Sequence, residues 1–230
     1  MNDFITKFTE DFIKDDRYTY LFLGLKNTLL ITILALFLGL LLGFLVAVIR
    51  STHERNGNLK ILDFLCRVYL TVIRGTPTMI QLLIMYYIIL VSINSKIVVA
   101  VLAFGINSGA YVAEIVRSGI MSVDNGQYEA GRSLGFNYTK TMCYIIMPQA
   151  FKNVLPALAN ELITLLKETS ISGYIGLMDL TKGGDIIRSL TYDAFLPLIG
   201  VAAIYLVIVM LLSAGIRQLE KKLRKNERRS

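Results

Sequence analysis

Several ionisable side chains stand inside stretches that are otherwise almost wholly apolar: Arg74, Glu161, Lys167 and Glu168. A charge in such a setting is costly unless it faces a cavity, a partner or a ligand. Hydroxyls accompany them, in Arg74-Gly75-Thr76-Pro77 and in Lys167-Glu168-Thr169-Ser170. A helix broken at mid-depth, with charges and freed backbone groups, is an arrangement that holds a zwitterion. Lys167 lies eleven residues past Pro156, roughly 16 Å along a helix and so near the middle of its apolar segment. Gly173 and Gly176 follow and predict an unwound turn that frees backbone groups at that depth. Glu168, about two turns on, shares the helix face of Glu161, and Lys167 does not. Two readings stay open for these charges. Lys167 and Glu168 pair with each other or with a neighbouring helix, or they face a ligand. Arg74 meets a ligand carboxylate, or it pairs with Glu161 or Glu168. Glu114 is expected to pair with Arg117, one turn on.

Other chemistries find little support. His53 is the single histidine and falls in a charged loop, and Cys66 and Cys143 are far apart, matching no metal or redox spacing. No metal site is expected. No Gly-x-x-x-x-Gly-Lys-Ser/Thr phosphate loop occurs, so the chain does not hydrolyse ATP by that route. From Arg217 to Arg229 there are seven basic and two acidic residues. Directly after an apolar segment, such a tail reads as an anchor at anionic headgroups rather than a nucleic-acid patch.

The elements that position these residues follow from composition. The 230 residues are 54% hydrophobic and 18% charged, against about 25% charged in soluble domains. No charge interrupts Asn27 to Ile49 or Ala194 to Ile216, and each run exceeds the roughly 20 residues that cross a bilayer as a helix. Five apolar segments emerge, at about 21–49, 61–93, 97–116, 151–175 and 194–216. The first carries Gly39 and Gly43, a close-packing spacing. The second is interrupted by Arg74-Gly75-Thr76-Pro77. A mixed loop is expected over 177–193, with Gly183-Gly184 as its breaker. The start of the chain is too acidic for the leader of a signal peptide and reads as an amphipathic segment outside the first span, which then serves as an uncleaved anchor.

The predicted architecture is an all-α membrane protein of five spans, without internal repeat. Leaving aside Lys26, Arg74 and Lys167 inside the apolar segments, fifteen basic residues fall on the side of the C-terminus and six on the other, which puts the N-terminus outside and the C-terminus in the cytoplasm. Residues 1–20 form an extracytoplasmic segment, 21–217 the membrane domain and 218–230 the basic tail.

The connector between the third and fourth segments, Arg117 to Gln149, is too long for a plain turn. It has helical character broken at Gly135-Phe136-Asn137, which predicts two short helices at an angle. Ala130 and Gly131 let another surface approach the backbone, and Glu129 suits a helix start and a basic partner.

This connector resembles that of permease subunits of binding-protein-dependent ABC importers. Their signature is Glu-Ala-Ala, three residues, Gly, nine residues, Ile, one residue, Leu-Pro. The chain has Glu129-Ala130-Gly131, Gly135, Ile145, Met147 and Pro148 at that spacing, with Gly131 for the second alanine and Met147 for leucine. Arg74-Gly75-Thr76-Pro77 and Asn160-Glu161 followed by Lys167-Glu168-Thr169-Ser170 resemble the polar amino acid branch. The resemblance spans about residues 21–217. It implies coupling helices, carrying Glu129, Ala130, Gly131, Gly135, Ile145 and Pro148, that dock on an ATPase. It places Arg74, Thr76, Glu161, Lys167, Glu168, Thr169 and Ser170 along a substrate path. It also implies a second permease subunit, identical or a sister, two ATP-binding subunits that hold ATP and Mg, an extracytoplasmic substrate-binding protein, and a polar amino acid as cargo in a bacterial cell membrane. No cofactor is expected in the chain itself. The alternatives are an ion-coupled secondary transporter or channel, which leaves the connector unexplained, and an ABC permease for another small polar solute.

Overall fold

The structure is a computed structural model that describes residues 2–227. The outermost residues of the N-terminal segment and of the basic tail, 1 and 228–230, lie outside the described residues. Among the described residues the chain is helical, without a strand. A short α1 (Asn2–Phe8), a π turn (Thr9–Ile13) and a 3-10 turn (Lys14–Asp16) lead into α2 (Tyr18–Asn56). Then come α3 (Lys60–Arg74), α4 (Thr78–Ile84), α5 (Lys96–Met121), α6 (Asn125–Ser133), α7 (Tyr138–Thr141), α8 (Met147–Glu168), α9 (Leu180–Thr191) and α10 (Phe195–Glu227).

Among the described residues, three helices are long and apolar enough to cross a membrane: α2, α5 and α10. The pair α3–α4 qualifies jointly, bent by 108° at its break. Pro77 explains the break, because it starts α4 in an extended conformation and has no N–H to continue α3. The helix α8 is not among these candidates; Lys152, Glu161, Lys167 and Glu168 make it more polar. After Glu168 it tightens into a 3-10 segment, Thr169–Ile175, closed by Gly176 at φ +67°, where the glycines predicted an unwound turn.

The centre of the bundle is α5, with α2 along one side and α8 along another. Small residues set the α2–α5 distance. A Cβ on Gly43 would stand 2.5 Å from Val112, and one on Gly39 would stand 2.9 Å from Ser108. The Gly39–Gly43 spacing is therefore a close-packing face, as in other membrane helices. Among the described residues, buried apolar clusters in the bundle gather around Ile31, Leu82, Phe104 and Leu165 and around Val112, Val116, Ile120 and Ile146. Facing outward from α2 are Phe22, Ile33, Phe37, Leu41 and Leu45, and from α10 Leu206, Met210 and Leu211.

The segment 177–193 differs from the loop expected there. It is mostly helix α9, capped by Asp179, whose carboxylate accepts from the Lys182 N–H at 2.8 Å. Gly183 and Gly184 are buried within it. Low helix propensity suggested a breaker, but tertiary contact decides: a Cβ on Gly183 would lie 2.6 Å from the backbone carbonyl oxygen of Tyr20 in α2. Gly183→Ala is thus expected to destabilise the fold by about 1–3 kcal/mol through overpacking, despite the up to 1 kcal/mol that alanine gains in a helix. A thermal unfolding midpoint equal to or above wild type would contradict this contact.

Candidate functional site

Glu114 is the hub of the charged groups in the bundle. It sits on α5 and takes an ion pair from Arg50 of α2 at 3.3 Å, from Arg74 of α3 at 3.5 Å and from Arg117 of its own helix at 3.2 Å. The expected Glu114–Arg117 pair is present but shared. Arg74, for which Glu161 and Glu168 were the expected protein partners, instead pairs with Glu114, and its guanidinium lies 5.9 Å from the Tyr111 ring centroid. The rotation of α3 about its axis selects Glu114, and no local spacing encodes it. Asp63 extends the cluster by pairing with Arg50 at 3.6 Å and Arg67 at 2.7 Å. Arg50, Arg67, Arg74 and Glu114 line a cavity of about 440 Å³. On its other side Glu114 borders a second cavity of about 650 Å³, which also includes Ser118, Ser122 and Asn153.

Two turns of α5 away, a polar pin fixes the broken helix pair. The Gln81 side-chain amide donates to the carbonyl of Ile73 at 2.7 Å and to the carbonyl and hydroxyl of Thr76 at 3.0 and 2.8 Å. Its oxygen accepts from the Asn107 amide at 2.9 Å. Thr76 in turn donates to the carbonyl of Val72 at 2.8 Å. Gln81 thereby satisfies the carbonyls that the break leaves without helical partners. Neither Gln81 nor Asn107 was singled out from the sequence. The only signal was an amide four residues past Pro77 and another inside an apolar helix. Next to Asn107, the hydroxyl of Ser108 donates to the Glu161 carboxylate of α8 at 2.7 Å.

The remaining substrate-path residues lie apart from Arg74 and Thr76. Lys167 is exposed and Glu168 half-buried at the end of α8, and no ion pair joins them among the described residues. Thr169 is buried, its hydroxyl donating to the Leu166 carbonyl at 2.7 Å. Ser170 lines a cavity of about 350 Å³ together with Tyr174, Thr181, Lys182 and Asp185. Hydrogen bonds from Lys182, at 2.8 Å, and from Arg188 hold the Asp185 carboxyl below its usual range.

At the far end of the bundle, α6 and α7 form an elbow. Asp124 caps α6 and Asn137 caps α7, and Gly135 takes φ +82° between them, a conformation that glycine adopts without strain. The break predicted at 135–137 is there. The second short helix is not separate: α7 runs through a π turn, Met142–Ile146, straight into α8 at Met147 and Pro148. Glu129 and Ala130 are exposed, and Leu134 is 74% exposed. Gly131 is buried, and a Cβ there would stand 2.7 Å from Thr141 and 2.9 Å from Ile145. The close approach expected of Gly131 is therefore made by the chain's own α7 side, while that of Ala130 is open.

Comparison with known proteins places this architecture. The family model of binding-protein-dependent transport system inner membrane components matches residues 35–225. A putative glutamine transport system permease protein GlnP of Rickettsia bellii is 41% identical over 203 residues, which are 87% of this chain and 91% of that protein. The arginine transport system permease protein ArtQ of Bacillus subtilis is 40% identical over 207 residues, 89% of this chain and 92% of that protein. A crystal structure of an amino acid ABC transporter with histidines superposes with a TM-score of 0.83 at 42% identity, covering 92% of this chain and 98% of that one. The α6–α7 elbow, the broken α3–α4 pair and the match along nearly the whole length lead to one conclusion: the chain belongs to the family of binding-protein-dependent transport system inner membrane components, the permeases of ABC transporters.

Proposed function

We propose that the chain imports a polar amino acid by alternating access, as a five-pass permease driven by ATP that a separate subunit hydrolyses. In this reading α8 with its 3-10 extension is the remaining pass and the bent α3–α4 pair is one pass. The N-terminus is extracytoplasmic, and the elbow and the C-terminus are cytoplasmic in a bacterial cell membrane. The excess of basic residues at the elbow and tail supports that orientation. The partners are a second permease subunit, two ATP-binding subunits with their ATP and Mg, and an extracytoplasmic binding protein. The relatives named for glutamine and arginine support an amino acid cargo. Arg74, Thr76, Glu161 and Lys167 to Ser170 are the candidate substrate-path groups, at two levels of the bundle. Cargo crossing between those levels passes the Ser108–Glu161 pair.

The observation that carries this reading is the elbow, which exposes a carboxylate at Glu129 and an apolar side chain at Leu134. A large apolar side chain left this exposed on a short elbow fits a partner cleft better than it fits water, and the exposed carboxylate can meet a basic group of the partner. Gly135→Arg would mix loss of docking with backbone strain, because of its positive φ. Ala130→Arg avoids that confusion, since Ala130 is exposed on a helix and arginine is a good helix former. On purification of the tagged chain from its host, an ATP-hydrolysing subunit is expected to co-elute with wild type and to fall at least tenfold with Ala130→Arg, at unchanged thermal stability. Wild-type chain that elutes without any such subunit would overturn the reading.

A further inference from the structure

A cavity of about 480 Å³ opens between α2 and the α7–α8 elbow, on the opposite side of α5 from the cavities that border Glu114. Its floor is Phe44, Ile120, Met142 and Met147. Val48 and Thr52 form one lip, and Tyr138 and Thr139 the other. The volume lies within the roughly 300–1,000 Å³ of small-molecule sites, but the lining is mostly apolar. Ser51, Thr52, Tyr138 and Thr139 bring hydroxyls to the lining, enough for a few waters along one part of it, but the floor residues and Val48 leave the rest apolar. The surroundings supply a better occupant. Phe37, Leu41, Leu45 and Val48 of α2 are exposed and spaced by four, four and three, so they form one ridge. That ridge runs along the membrane helix and ends at the lip of the cavity.

At the other lip, Thr139 is followed by Lys140, which is exposed and stands in no ion pair among the described residues. An apolar slot continuous with a lipid-facing ridge, with an exposed basic residue next in sequence to the lining residue Thr139, matches a chain with an anionic head.

We propose that this cavity holds one acyl chain of an anionic phospholipid, wedged between α2 and the elbow, with its phosphate beside Lys140. The inference rests on the membrane reading of α2, with the elbow at the level of the cytoplasmic headgroups. Bound there, the chain fills a void that would otherwise loosen the contact between the span and the elbow, so lipid occupancy sets how firmly the two move together. Nothing in the substrate path takes part.

The test is photolabelling of the full transporter in proteoliposomes with phosphatidylglycerol that carries a diazirine at an acyl terminus, followed by peptide mass spectrometry. Adducts are expected on Ile120, Met142 or Met147 in addition to the annular positions Leu41 and Leu45. Ile120 is only 3% exposed, so a lipid that stays outside the cavity does not reach it. Thr52→Phe, which fills the lip, is expected to lower the cavity adducts about tenfold and to leave those on Leu41 and Leu45 unchanged. Annular adducts without cavity adducts in the wild type would overturn the inference and leave the membrane reading standing. Absence of both would overturn the membrane reading itself. Cavity labelling by a diazirine fatty acid but not by the phospholipid would overturn the assignment to a phospholipid. The wild-type map decides the matter even if the Thr52 variant does not fold.

Discussion

Glu114→Leu is expected to destabilise the bundle by about 2–3 kcal/mol and to reduce uptake to background. The substitution removes the carboxylate that three guanidinium groups share at 3.2 to 3.5 Å. Removing one partner of a buried ion pair costs about 3–5 kcal/mol, because the other charge stays behind unpaired. Here Glu114 is 26% exposed and Arg74 44% exposed, and that access to solvent brings the figure down. Arg50 is the least forgiving member at 15% exposed, and it keeps only Glu54 and Asp63, at 3.5 and 3.6 Å. Thermal unfolding of the purified complex and uptake of labelled amino acid in proteoliposomes measure the two effects separately. Arg74→Gln separates the roles further. With Arg74 nearly half exposed, its loss is expected to change stability by under about 1 kcal/mol and yet to impair uptake. A Glu114→Leu protein that melts and transports like wild type would show that the cluster is a solvated patch with no structural role.

Gln81→Leu is the second large effect. One amide group holds three acceptors around the α3–α4 break and receives the Asn107 amide from α5. Leucine is close in volume, so the change tests hydrogen bonding more than packing. It leaves the Asn107 amide without that acceptor, on a residue that is 1% exposed and whose carbonyl oxygen is already unpaired. Each buried polar group stranded in this way costs about 1–3 kcal/mol. The break then loses its fixed angle, and Arg74 and Thr76, which flank it, lose their positions. Uptake is expected to fall at least tenfold, with the protein still assembled in the membrane. Gln81→Asn, shorter by one methylene, should retain part of the activity. Equal uptake by the leucine variant would mean that Pro77 alone sets the bend.

These two sites mark the limit of what the sequence made legible. Features written locally were readable: the apolar runs, the stop at Pro77, the end of α-helical geometry near Gly173 and Gly176, though as a tightening rather than the unwinding expected, the Gly39–Gly43 packing face, and the turn at Gly135. Each depends on a backbone preference or a helical period that a short window contains. The partners of Arg74, Gln81 and Asn107 were not readable, because they depend on how α3 and α4 rotate against α5. The pair Gly183-Gly184 misled for a related reason. The same residue type breaks a helix exposed to water and permits one pressed against Tyr20. At Gly131 the small side chain pointed to a docking face, but the space it frees is taken by Thr141 and Ile145 of the same chain.

The continuity from α7 into α8 has a mechanical meaning. From Tyr138 to Glu168 there is no loop to absorb displacement, only the π turn at Met142–Ile146. That makes a lever arm of about 46 Å at 1.5 Å per residue, on which a tilt of about 5° at the elbow sweeps Glu168 through about 4 Å. The Ser108–Glu161 hydrogen bond, 2.7 Å long, ties the far half of that arm to α5. The π turn and Pro156, which lacks the N–H to continue the ladder inside α8, are where the arm can take up slack, so their stiffness sets how much of a tilt reaches the far end.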